Sequence, residues 1–387
     1  MKYMGSKRAM LANGLGRILL READGARWFG DLFAGSGAVA WFVGQRSTVR
    51  VLASDLQQFA VTLSGAVITR TRALDPLTIW RQWQRRAVSR LSDLAFARVA
   101  SEFQQLDWSH NARGIARDAR AVCAAQRELV ITRSYGGHYF SPAQALVLDV
   151  LRATLPGHRE EKQVALAALI IATSECAASP GHTAQPFQPT KRGARFLFEA
   201  WRRNVGQRVY RALEGLSKQH ARRCGAAVVS DAALTAQSLD RRDIAFLDPP
   251  YSAVQYSRFY HVLEAIARGT VTEVSGSGRY PPRTERPPSQ FSVRDGSTEA
   301  LDELLEILAA NSVTTVVTFP KAEASNGLSG DLVETIAAQY FAVSRQEVNG
   351  RFSTLGGNRK HRLASIPASE VILTLRPKAR RRITGAK

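Results

Sequence analysis

Residues 26–45, ARWFGDLFAGSGAVAWFVGQ, carry the feature that most constrains how this chain can fold. An apolar run meets a glycine pair, Gly35 and Gly37, and then continues as an apolar segment long enough for a helix. By pattern this is strand, turn and helix. Glycine suits such a turn because the backbone takes dihedrals other residues avoid, and because a ligand can approach it closely. The next strand, VRVLASD, ends in Asp55, twenty positions after Gly35. In a parallel sheet that is the usual place for a carboxylate receiving the hydroxyls of a ribose. The pair points to a nucleoside-containing cofactor at the carboxyl ends of the strands. Gly35 to Ala40 also fits the alanine-ended dinucleotide fingerprint. At this point a nicotinamide dinucleotide, S-adenosylmethionine and a tight turn without ligand all stay open.

Further strand signals follow much later: AAVVSD, DIAFLDPPY, VTTVVTFP, YFAVSRQEV and SEVILTLRP, with ALDELLEILAAN and GDLVETIAAQ as helices between them. Strands alternating with helices imply an α/β fold with a mainly parallel sheet covered on both faces. The last two strands lack a helix between them and predict an antiparallel hairpin at one edge. Residues 65–224 are mainly helical and rich in Arg and Ala. The expected organisation is a discontinuous α/β domain over 1–64 and 225–378, a helical insertion over 65–224 and a basic tail over 379–387. The Pro/Gly/Arg-rich stretch Gly276 to Gly296 reads as a mobile loop.

Charge narrows the partners. Lys and Arg number 53 against 33 Asp and Glu, a net charge of +20, which favours nucleic acid or an acidic membrane surface over a neutral partner. An arginine-rich surface that serves solubility alone is the competing explanation. VALAALIIATSECAA, Val164 to Ala178, is too short to span a bilayer, carries Glu175 and reads as a buried helix. MKYMGSKRAM has no apolar core of the signal-peptide kind. Cys123, Cys176 and Cys224 are far apart, without metal-ligand or redox spacing. These features suit a reducing cytoplasm and predict no membrane span and no metal site.

LDPPY, Leu247 to Tyr251, sets an acid on a stiff two-proline step where a strand should end. Such a step can activate the exocyclic amine of a nucleobase, whose lone pair is delocalised into the ring. Two acceptors on its N–H bonds would draw the nitrogen toward a tetrahedral shape. Asp248 offers one as a carboxylate and can offset positive charge developing on nitrogen. A carbonyl of the Pro249–Pro250 step offers the other, held stiffly because proline fixes φ and has no N–H. Tyr251 supplies an aromatic face for an extruded base. An ordinary proline-rich strand end is the alternative. Because DIAFL reads as a central strand, however, Asp248 should emerge on the same sheet edge as Gly35 and Asp55.

Taken together, KYMGSKR at Lys2 to Arg8, FAGSG at Phe33 to Gly37, SDLQ with Asp55, and DPPY resemble the Dam-like adenine-specific DNA methyltransferases. In these enzymes the cofactor motif comes first and the DPPY motif late. The resemblance implies a Rossmann-like methyltransferase sheet, S-adenosylmethionine as cofactor, double-stranded DNA as partner and a base flipped out for transfer to adenine N6. It also allows a cognate restriction endonuclease acting separately. Carried over by position, Tyr3, Lys7, Phe33, Gly35, Gly37, Asp55 and Asp248 would line the cofactor pocket. Asp231, ending AAVVSD, would accept from the cofactor's adenine amine, and the insertion would serve target recognition. The activities kept beside this one are cytosine-N4 DNA methylation, RNA adenine-N6 methylation and a DNA-binding module with a relic pocket.

DNA contacts are expected on two basic segments. GHTAQPFQPTKRG offers Gln185, Lys191 and Arg192, beside Gln188, for base edges and phosphates. NGRFSTLGGNRKHR offers Arg351, Arg359, Lys360 and Arg362 on the loop of the final hairpin. Tyr135, Tyr139 and Phe140 in SYGGHYFSP read as core aromatics around a turn, with DNA contact as the alternative. Tyr256, Tyr260 and His261, just after DPPY, carry no assigned role.

Overall fold

The structure is a computed structural model and describes residues 7–108, 111–353 and 365–378. Its strands are β1 (Trp28–Asp31), β2 (Arg50–Asp55), β3 (Ala226–Val229), β4 (Ile244–Leu247), β5 (Thr314–Pro320), β6 (Phe341–Ser353) and β7 (Ser365–Pro377). They form one sheet in the order β3-β2-β1-β4-β5-β7-β6. The neighbours from β3 through β5 pair in parallel, while β7 pairs antiparallel with both β5 and β6. The mainly parallel sheet and its antiparallel edge hairpin are as the sequence predicts.

Both faces of the sheet are covered, and β4 shows why its four residues are all apolar. Ile244 and Phe246 face one hydrophobic cluster, Ala245 and Leu247 the other, following the two-residue period of a strand. On the first face, Phe29, Val51 and Phe246 join a core with Phe59, Trp83, Leu148, Leu169 and Leu213 from the helical region. On the second, Leu247, Val317 and Leu373 pack against Leu301, Leu305 and Ile336 of the helices Ser297–Ala310 and Gly330–Tyr340. The helices between β2 and β3 thus share a core with the sheet. The helix Gln58–Ile68 runs through residue 64 without a break. The helix Arg159–Cys176 contains most of the apolar stretch noted above and is largely buried. No helix among the described residues is long and apolar enough to cross a membrane.

Register decides where the site falls. Asp31 pairs with Ala53 and Phe246, and Asp55 pairs with Val229. The carboxyl ends of β1, β2, β3 and β4 therefore meet at one edge. Leu32 N donates to Phe246 O (3.1 Å) and Ala34 N to Ser54 O (3.0 Å), which seats the glycine turn between β2 and β4.

Candidate active site

That edge opens into a cleft of about 960 Å³ of empty space, part of it continuous with solvent. Its wall includes Phe33, Gly35 and Ser36 of the turn, Asp55 at the end of β2 and Gln57 just after it, and Asp231 after β3. The DPPY step closes the other side. Gly35 and Gly37 have φ of +48° and +75°. A Cβ at Gly37 would meet Ser64 Oγ at 3.1 Å and Ser64 Cα at 3.2 Å, so the dihedral favours glycine and a side chain would crowd Ser64. Gly37 stands behind the wall and caps the helix Ala38–Arg46. Gly35 reaches the cleft itself.

Three carboxylates converge here. Asp55 Oδ2 accepts from Gly35 N and Oδ1 from Gln57 N, each at 2.9 Å. Burial pushes Asp55 up to about 6, against the pull of those N–H groups. Asp31 is buried at the end of β1. Its Oδ2 accepts from Ala40 N (3.2 Å), while its buried Oδ1 lacks a well-formed hydrogen bond. Burial, then the charges of Asp248 and Asp55, push Asp31 up to about 7. Asp248 follows β4, and its Oδ1 accepts from Thr318 Oγ1 (3.1 Å) on β5. Lys7 is 4% exposed and places Nζ 3.1 Å from Asp248 Oδ1 and 2.6 Å from Glu370 Oε2 on β7. Burial pushes Asp248 up to about 6 despite Lys7, and Glu370 adds to the rise. Burial also works against charge on Lys7, but the two carboxylates outweigh it and keep the ammonium protonated.

The proline step is anchored from outside the motif. Asn326, fully buried in the loop after β5, donates through Nδ2 to Pro250 O (2.8 Å) and Phe291 O (3.0 Å). Ser325 Oγ accepts from Ala253 N (3.0 Å). Gln255 exchanges two hydrogen bonds with the Ser289 backbone, Nε2 to O at 3.0 Å and N to Oε1 at 2.9 Å. The stretch from Gly276 to Gly296, expected as a mobile loop, contains two short 3-10 turns, and Pro287, Ser289 and Phe291 from it line the cleft. Phe291 meets Phe33 edge-on, with ring centroids 5.1 Å apart. Tyr251 also lines the cleft, with Tyr256 edge-on to it at 6.4 Å.

Lys7, Phe33, Gly35, Asp55, Asp231, Asp248, Pro250 and Tyr251 therefore share one cleft. Pro249 is buried just behind it. Asp231 sits at the rim with one oxygen committed to Ala233 N (2.8 Å), capping a short helix. Gln185, Lys191 and Arg192 are exposed on the segment that Thr183 ties to Phe259 O (2.7 Å). Tyr3, Arg359, Lys360 and Arg362 lie outside the described residues, as does the Arg351 side chain. Tyr135, Tyr139 and Phe140 are fully buried, as core aromatics should be.

Sequence reasoning missed Asp31, Thr318, Asn326 and Glu370. Asp31 had a signal, since it precedes the glycine turn as Asp55 ends the next strand. The other three reach the site only through strand order and loop packing, which no local pattern reveals.

The sheet order and the cleft at its carboxyl edge are consistent with a Rossmann-like methyltransferase. The family model for D12 class N6 adenine-specific DNA methyltransferases matches residues 195–318, which contain β3, β4, the DPPY step and most of β5. Over that stretch the chain is similar to those enzymes, and the match supports an adenine-specific DNA methyltransferase. A comparison with curated proteins finds no match.

Proposed function

We propose that the cleft binds S-adenosylmethionine and that the protein methylates N6 of an adenine flipped out of double-stranded DNA. The observation that carries this reading is the meeting of Asp248 with the glycine turn and Asp55 in one cavity. The donor set fits the cofactor. Asp31, Asp55 and Asp248 oppose a single buried lysine, so the cleft favours a ligand bearing positive charge, although the chain as a whole carries +20. Gly35 lets a ligand approach the backbone, and Asp55 would hold a ribose. Asp231 would flank the adenine end, with Tyr3, Lys7 and the loop from Phe33 at the methionine end by resemblance.

S-adenosylmethionine, when bound, supplies an electrophilic methyl group. The chain's own part is to prepare the acceptor. Asp248, held by Lys7 and Thr318, accepts one N–H of the adenine amine and offsets charge developing on its nitrogen. A carbonyl of the Pro249–Pro250 step, which Asn326 fixes by donating to Pro250 O, supplies the second acceptor. Tyr251 stacks on the base. Much of the rate then comes from positioning. The helical region and its basic loops, with Gln185, Lys191 and Arg192, would read the duplex.

The test is nucleoside analysis of duplex DNA and duplex RNA incubated with the protein and S-adenosylmethionine. N6-methyladenine in the DNA is the expected product. N4-methylcytosine alone, or modified RNA with unmodified DNA, would replace this reading with one of its rivals.

A further inference from the structure

Beside the cleft, two arginines that no motif assigns lie over one tyrosine, and a third, Arg283, lies near them. Arg258 Cζ lies 4.6 Å from the Tyr280 ring centroid, and Arg286 Cζ lies 6.0 Å from it. Arg283 is close enough to Arg286 that the two repel. Burial first, then the charges of Arg258 and Arg283, lower the Arg286 pKa. Among the described residues, no carboxylate forms an ion pair with Arg258, Arg283 or Arg286. The nearby acids are committed elsewhere. Glu264 accepts from Gln58 N and Phe59 N, and Glu285 is engaged by Thr272. Like charges packed together without counter-charges cost free energy, and an anion supplied from outside would relieve that cost.

Position says which anion. Arg258 directly follows Ser257 and Arg286 directly precedes Pro287, and both Ser257 and Pro287 line the cleft. Tyr280 OH donates to Ala184 O (2.5 Å), so the cluster adjoins Gln185 and the basic segment reaching Arg192. Arg258 and Arg283 are exposed, and Arg286 is partly so. The surface is a guanidinium group fixed on an aromatic ring at the mouth of a cavity. It is short of acceptors and matched to phosphodiester oxygens, which guanidinium forks bind well.

We propose that Arg258, Arg283 and Arg286, two of them ordered by Tyr280, grip the DNA backbone phosphates that flank the nucleotide entering the cleft. This rests on the adenine-methylation reading and gives that site its phosphate contacts. Tyr280 acts as a positioning residue, holding Arg258 and Arg286 at the rim.

The experiment is a salt titration of duplex-oligonucleotide binding, from about 50 to 200 mM, for the full chain and for Arg258→Gln, Arg283→Gln and Arg286→Gln. Each loss of charge should weaken DNA binding about five- to tenfold at the low-salt end and reduce the salt slope by about one. Arg258→Lys should keep the slope, and S-adenosylmethionine affinity should stay unchanged in all of them. Arg286 is partly buried, so the exposed pair Arg258 and Arg283 keeps the test decisive if Arg286→Gln folds poorly. Variants that match the unaltered protein in affinity and slope would overturn the arginine assignment while leaving the adenine reading intact. So would weaker binding with an unchanged slope, or a loss confined to duplex RNA. An unaltered protein with no salt-dependent affinity for duplex DNA would remove the reading on which the proposal rests.

Discussion

Lys7 Nζ lies 3.1 Å from Asp248 Oδ1, so Lys7 and the acid of the DPPY step share one ion pair. Glu370 completes it from β7 at 2.6 Å. One cation thus serves two carboxylates, and the protonation of Asp248 depends on both neighbours.

The first prediction concerns the acid side of the pH profile. Asp248 offsets charge on the amine, and is at its strongest as an acceptor, only when ionised, and burial pushes its pKa up to about 6. Methyl-transfer kcat/KM should therefore fall as pH drops through about 6. Glu370 adds to the rise. Glu370→Gln should accordingly move this limb to lower pH, provided Lys7 stays in place. A limb that moves upward would mean that Glu370 acts mainly by holding Lys7.

Asp31 makes a stability prediction. Its pKa is 3.8 in ordinary surroundings and is pushed up to about 7 in the fold, by burial first and then by Asp248 and Asp55. The folded state therefore binds more protons than the unfolded state between those values. Stability from the protonated carboxyl is full below the unfolded pKa and is lost as pH rises through about 7. Asp31→Asn should raise the Tm of the ligand-free protein at about pH 8 and change it less at about pH 5. A lower Tm at the higher pH would show that the ionised carboxylate is stabilised within the fold.

Asp55→Ala removes the acceptor of the Gly35 and Gln57 N–H groups as well as the proposed ribose partner. S-adenosylmethionine affinity by calorimetry should fall about ten- to a hundredfold, the range expected for hydrogen bonds to a charged group. DNA affinity should hold. Unchanged cofactor binding would place the ribose elsewhere.

Asn326→Asp keeps size but takes away the donor that reaches Pro250 O and Phe291 O. We expect kcat to fall about ten- to a hundredfold, since small misplacements of acceptor groups are costly, while cofactor affinity stays within about threefold. A parallel loss of cofactor affinity and Tm would reduce Asn326 to a purely structural part.

How much of this was legible in the sequence follows the range of the interactions. The glycine turn, Asp55 and DPPY are short patterns, each tied to one strand end, and parallel pairing is enough to bring them together. The alternation within β4 likewise needs only its own residues. Glu370 meets Lys7 because β7 lies between β5 and β6, a matter of strand order. Asn326 meets Pro250 through two loops that the sequence leaves unrelated. SYGGHYFSP was ambiguous because aromatics around a glycine pair suit either a core or a ligand. Burial resolves it, with Tyr139 OH donating to Thr183 O (2.6 Å) and lying 2.9 Å from Gly278 O.

The most direct measurement is single-turnover methyl transfer to duplex DNA by the unaltered protein and by Asp248→Asn, with DNA and cofactor affinities measured on both. The account predicts that the rate falls about a thousandfold or more at saturating cofactor while DNA affinity stays within about threefold, because the carboxylate acts on the amine as charge develops. An Asp248→Asn rate within about threefold of the unaltered protein would contradict it.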